Sequence, residues 1–243
     1  EILDLNKFEN GWRPLYKTSS KKLFGEPNKK NHEWNYPRSY LSSDGNIVGI
    51  SYNKVWMMDK DDDFRVFQTN EIELETGGIS GILEDINLNN DHIGHIHQKG
   101  KNDTRKLRLL TIGSPVGTYN STVMIGKDIV YLFGGKQTGE EYSASNKVIK
   151  IDFADSRKPK INKAKSMLMP RFNANATILP NGKVFINGGS AYKDLEYSIY
   201  EAEIYDPFTE KSELMDKGFF RRNYHGTALL LPNGTILVSG GDV

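Results

Sequence analysis

Residues 176–189 read ATILPNGKVFINGG, and residues 228–241 read ALLLPNGTILVSGG. Each phrase is an apolar run, a tight turn, a second apolar run and a pair of glycines. Asn-Gly accepts the positive φ angles that a short hairpin turn demands, and the Val, Ile and Leu around it favour extended backbone. Each phrase is therefore predicted to be a β-hairpin. The turn asparagines, Asn181 and Asn233, stand 52 positions apart, a spacing that suits a repeat of four strands.

Working outward, residues 121–135 (STVMIGKDIVYLFGG) are a third copy, with Gly134 lying 54 positions before Gly188. Residues 38–50 (RSYLSSDGNIVGI) keep the Asp44-Gly45 turn without the glycine pair. A second strand pair follows each hairpin, most plainly in residues 202–215 (AEIYDPFTEKSELM), where Asp206 and Pro207 break one strand before the next begins. Residues 148–152 and 55–59 are predicted to be its equivalents. Residues 1–16 (EILDLNKFENGWRPLY) read as a third and fourth strand without the first two, and Gly240-Gly241 close a first hairpin. No long window sustains a 3.6-residue period, so helices are not predicted.

The repeat predicts an all-β fold: a kelch-type β-propeller, partial, with about three full four-stranded blades plus two half blades. The expected divisions are 1–20, the end of one blade; 34–110, a blade with a long insertion at about 69–108; 114–165 and 169–217, one blade each; and 221–243, the start of the next. Propellers close as rings of roughly four to eight blades, because an open arc leaves strand edges and inter-blade faces bare. The remaining blades of the same propeller are therefore an expected partner.

Composition narrows the function classes. The 243 residues are 37% hydrophobic and 26% charged, enough to build a core. Lys+Arg number 32 against 31 Asp+Glu, a net charge of +1, so no global field would hold nucleic acid, and no such partner is expected. No membrane span is expected either, since no run approaches ~18 continuous apolar residues. With no cysteine, neither a disulfide nor a zinc knuckle can form within these residues. Sequons at Asn102, Asn120, Asn175 and Asn233 lean toward secretion.

Residues 221–227, RRNYHGT, run directly into the last hairpin. This resembles the Arg-x-Tyr-His-Ser segment, followed by LLLPDGRV and glycines, of the galactose oxidase and glyoxal oxidase family of copper radical oxidases. The resemblance extends to residues 169–189 (MPRFNANATILPNGKVFINGG), to residues 203–207 with their tyrosine and Asp-Pro, and to residues 34–59, which begin WNYPRSYLSSDGNI. It is poorest across residues 69–108.

In that family the adjacent Tyr and His bind copper, so the resemblance implies Tyr224 and His225 as metal ligands and Tyr224 as the catalytic base for a substrate hydroxyl. It implies that the chain is part of a secreted or extracellular oxidase that takes a primary alcohol or aldehyde with O2 to hydrogen peroxide. Gly226 stands where the family usually has Ser. The family's oxidised cofactor, a tyrosine joined to a cysteine, has no cysteine to form from here, and a further copper histidine belongs to a later domain. At most two of the expected ligands are in this chain.

The residue types suit the chemistry, since imidazole is a good Cu(II) ligand and a phenolate can both bind copper and accept a proton. Geometry sets a condition: neighbours on a regular strand point to opposite faces, so Tyr224 and His225 can share a metal only at an irregular strand entrance. The competing readings are a packed aromatic for Tyr224 and a satisfied strand-end histidine for His225, in a non-catalytic propeller that binds carbohydrate or protein on its loop face.

Arg38, Arg171 and Arg222 each precede a hairpin, either making structural hydrogen bonds particular to the repeat or ringing one face for an anionic or sugar-like ligand. His92, His95 and His97 read either as part of a plain polar loop or as residues with incidental surface metal affinity. Lys158, Lys160, Lys163 and Lys165 read as a solvated loop, and Asp61, Asp62 and Asp63 as a charged turn rather than a calcium site. Gly113-Ser114 lacks a nucleophile frame.

Overall fold

The computed structural model describes residues 37–51, 53–72, 119–136, 144–192 and 197–241, together with Asn10, Gly11 and Arg13. All four hairpins expected from the turn chemistry are present. They are β1 (Arg38–Leu41) with β2 (Ile47–Ser51), β5 (Ser121–Ile125) with β6 (Ile129–Phe133), β9 (Phe172–Ile178) with β10 (Val184–Ser190), and β13 (Gly226–Leu230) with β14 (Ile236–Gly240). The second strand pairs are β3 (Lys54–Asp59) with β4 (Arg65–Glu71), β7 (Val148–Asp152) with β8 (Lys160–Ala164), and β11 (Glu201–Asp206) with β12 (Lys211–Lys217).

Among the described residues these make three four-stranded sheets, each in simple sequential order, and one two-stranded sheet, β13–β14. The paired strands run antiparallel; in the last hairpin, for example, Leu229 stands opposite Leu237. No α-helix occurs among the described residues, and a 3-10 turn lies at Lys60–Asp62. The predicted opening half blade falls outside the described residues apart from Asn10, Gly11 and Arg13, as do most of the predicted insertion and His92, His95 and His97.

The chain groups into two compact units. One contains β1–β4 with residues 126–130 and 151–161; the other contains β5, β9–β14 and residues 131–150 and 162–164. The sheet β5–β8 contributes residues to both.

In the first unit Val48, Ile50, Val55, Trp56 and Met57 are buried. Trp56 lies across Gly49, where a Cβ would come within 2.2 Å of its ring, and its indole N–H donates to Ser51 at 3.0 Å. Polar groups tie down the first turn. Asp44 accepts from Ser42 at 2.5 Å and from Ser156 at 2.6 Å, while Asp128 accepts from the backbone N–H of Ser43 at 2.7 Å and from its hydroxyl. Asp61 pairs with Lys60, Asp62 with Arg65, and Asp63 with Arg13, so this acidic run is a charged turn.

In the second unit the core includes Phe133, Phe172, Val184, Ile186 and Tyr205, with Tyr205 and Phe133 edge to face at 5.2 Å. First strands neighbour one another here: β9 is in contact with both β5 and β13. The glycine pairs make that approach possible. The carbonyl of Arg222 accepts from Gly189 N–H at 2.6 Å, and a Cβ on Gly188 would sit 2.2 Å from the same oxygen. Arg171 and Gly134-Gly135 repeat the arrangement, with Gly135 N–H donating to the Arg171 carbonyl at 2.7 Å and a Cβ on Gly134 meeting it at 2.3 Å.

One element departs from expectation. Lys160 and Lys163 lie on strand β8 rather than in a loop, with both side chains exposed. An outermost strand carries lysines as protection against edge-to-edge pairing, and that is why its composition imitates a solvated loop.

Candidate functional site

Three non-glycine residues hold left-handed backbone at the same point of the repeat. Tyr119 (φ 60°), Asn173 (φ 57°) and His225 (φ 61°) each lie 15 positions before the first glycine of their pair, Gly134, Gly188 and Gly240. A left-handed conformation costs an ordinary residue roughly 1–2 kcal/mol, so the surroundings must impose it. Backbone bonds do so: Asn173 N–H donates to the Tyr119 carbonyl at 3.0 Å, and Gly241 N–H donates to the His225 carbonyl at 3.2 Å.

At the third of these kinks, immediately before β13, the chain brings two consecutive side chains together. The rings of Tyr224 and His225 lie 3.8 Å apart, tilted by 34°. An alternating strand would have sent them to opposite faces; the left-handed φ of His225 is the irregularity that prevents it. Tyr224 is half-buried and His225 exposed.

The neighbourhood is aromatic, with a lysine beside it. Tyr119 meets Tyr224 edge to face at 6.1 Å. The Lys136 ammonium lies 5.9 Å from the Tyr119 ring and 5.8 Å from that of Phe172, within reach of a cation–π attraction. Asn223 is 1% exposed, and both polar atoms of its amide lack a hydrogen-bond partner among the described residues. Gly226 is required by this packing, since a Cβ there would come 2.8 Å from the Asn223 carbonyl and 3.3 Å from Asn175 Nδ2.

The arginines divide by environment. Arg171 is buried, donating to the Gly188 carbonyl at 3.0 Å and to the Glu201 carbonyl at 2.8 Å. Arg222 donates to the Gly240 carbonyl at 2.7 Å. Each thus clamps the first glycine of its own repeat, a structural hydrogen bond particular to the repeat. Arg38 begins β1 opposite Ile50.

Tyr224 and His225 present a phenol oxygen and imidazole nitrogens on one side of the chain, donor types that Cu(II) takes. The pair supplies two such donors, and among the described residues no cluster of three or more His, Cys, Asp or Glu is placed to hold a metal ion. Tyr119, Lys136 and Asn223 were not singled out by the sequence reading. Counting back from each glycine pair would have found Tyr119, because that count aligns it with His225.

No family model matches this sequence, and no curated protein matches it. Among solved structures it is similar to a fungal alcohol oxidase of the AA5 family in complex with copper, at 18% identity and a TM-score of 0.46, over 82% of this chain and 57% of that one. The chain thus spans a little over half the length of that protein. A likeness of this degree decides nothing about the chemistry of this chain.

Proposed function

We propose that this chain is part of a copper-dependent oxidase of the galactose oxidase and glyoxal oxidase type, in which Tyr224 and His225 are two of the copper ligands. The observation that carries the reading is the 3.8 Å stacking of two consecutive side chains at a left-handed residue. It gives the RRNYHGT segment the irregular entrance that joint ligation needs. In the same reading the sheets are blades of a kelch-type propeller, supported by the contacts of β9 with β5 and β13, and the protein is secreted.

When bound, copper would supply the one-electron steps that let O2 be reduced to hydrogen peroxide as a primary alcohol becomes an aldehyde. The residues of this chain do the rest. The His225 imidazole holds the metal. The Tyr224 phenolate accepts the proton of the substrate hydroxyl, which a phenol can do once its own proton is gone. The edge of Tyr119 fixes the plane of the Tyr224 ring, and Lys136 places a positive charge beside that aromatic group. A small alcohol, an aldehyde or a carbohydrate bearing a primary hydroxyl fits this chemistry.

The test uses the whole protein: copper content by elemental analysis, and peroxide release on galactose, glyoxal and simple alcohols, for wild type, Tyr224→Phe and His225→Ala. Near-stoichiometric copper with turnover, both lost in His225→Ala, supports the oxidase. Copper-free protein without peroxide release supports a second reading, a non-catalytic propeller binding carbohydrate or protein. Gly226, in place of the family's Ser, favours that alternative.

A further inference from the structure

We propose that Asn233 is an N-glycosylation site of this protein and that Asn175, which carries the same Asn-x-Thr pattern, is not. The proposal is independent of any copper chemistry. It rests on where the repeat puts two sequons that are indistinguishable as sequence.

Asn233 occupies the turn between β13 and β14 and is exposed. Its Oδ1 accepts from Thr235 N–H at 3.1 Å and from the Thr235 hydroxyl at 2.7 Å. The hydroxyl residue of the sequon thus already holds the amide oxygen. The amide nitrogen, the atom that takes the sugar, donates to no described residue.

The exposure belongs to the hairpin and is not a consequence of β13 and β14 having only each other as partners. Asn181 fills the same place in the turn of β9–β10, whose sheet has four strands, and it is exposed too. Its Oδ1 accepts from Lys183 N–H at 3.1 Å, the same local fold. Only the third residue differs: Lys183 where the other turn has Thr235.

Asn175 lies in the middle of β9, opposite Asn187 on β10. Its Nδ2 is buried and lies close under Gly226. A sugar on that nitrogen would displace the start of β13, so the folded protein carries none there.

The transfer needs a lipid-linked oligosaccharide pyrophosphate as donor. The bond from sugar C1 to phosphate breaks, a bond from Asn233 Nδ2 to C1 forms, Nδ2 gives up one proton, and the lipid pyrophosphate leaves. No electrons are exchanged.

To test this, the full-length protein is passed through a eukaryotic secretory pathway, and its peptides are mapped in heavy-oxygen water with and without the deglycosylating enzyme; an Asn counts as marked only where the label depends on the enzyme, because Asn-Gly also takes it up by spontaneous deamidation. The expected result is a marked Asn233 and an unmarked Asn175. Thr235→Val should remove one glycan from the intact mass. Lys183→Thr should add one, at Asn181, because it completes a sequon on an equivalent exposed turn. An unmarked Asn233 in secreted, folded protein overturns the proposal, and so does a marked Asn175.

Discussion

Arg171 and Glu203 form an ion pair at 3.6 Å in which both side chains are fully buried. Burial pushes the guanidinium below its usual range, against the pull of the Glu203 charge. Glu203 also accepts from the backbone N–H groups of Leu168, at 2.6 Å, and Met169, at 3.3 Å. One carboxylate therefore joins the segment leading into β9 to β11, while Arg171 joins it to Gly188 on β10.

Removing either partner leaves the other as a lone charge in the interior. Arg171→Met and Glu203→Gln are each expected to cost about 3–5 kcal/mol. The double variant should be less destabilised than the two single losses added together. Urea denaturation of the four proteins gives the coupling directly; simple additivity would mean that the pair contributes nothing as a pair.

Close backbone approach, not turn geometry alone, fixes the glycine pair. Gly188→Ala places a Cβ 2.2 Å from the Arg222 carbonyl on top of an unfavourable φ of 68°. Gly234→Ala, at φ 83°, meets nothing within 4 Å. The second change should cost about 1–2 kcal/mol, the strain of left-handed backbone alone. The first should cost more, since backbone must move. Equal midpoint shifts in thermal melts would show that the Arg222 carbonyl can retreat freely.

Much of this was legible beforehand because its causes are local. Asn-Gly and Asp-Gly between β-branched runs mark the hairpins wherever they stand, and the 52-residue spacing of Asn181 and Asn233 sets the four-strand unit. The roles of Arg171 and Arg222 were foreseen as one of two options, and the decision needed the third dimension, where both guanidinium groups point at glycine carbonyls. Strand β8 was missed because its exposed lysines carry an edge signal that resembles a loop. Tyr119 comes to Tyr224 from another repeat, with Lys136 beside the Tyr119 ring, and a linear reading of RRNYHGT contains no trace of them.

The share of acid sensitivity that Asp44 carries should be small and assignable. Burial tends to raise the pKa of Asp44, but hydrogen bonds from Ser156, Ser42 and Asn46 outweigh it and hold the group down at about 2. A depressed folded pKa contributes stability that is present above the ordinary carboxylate value of 3.8 and is lost as pH falls toward 2. Because Asp44 is largely exposed, solvent screening should limit the effect to about 1 kcal/mol or less. Asp44→Asn should flatten the difference in unfolding free energy between pH 5 and pH 2.5 by that amount; an unchanged pH slope would place the acid sensitivity elsewhere.

His225 allows strain and ligation to be separated at one position. Its φ of 61° costs an imidazole-bearing residue roughly 1–2 kcal/mol and costs glycine almost nothing. His225→Gly should therefore stabilise the fold relative to His225→Ala by about that amount, while both variants lack the ring that stacks on Tyr224. If His225 holds copper, the two should be equally poor in copper despite their different stabilities, and Asn173→Gly, at the equivalent kink of β9, should gain stability with copper unchanged. Copper loss that followed stability across the three variants would show that the kink is needed only for folding and that the imidazole is not a ligand.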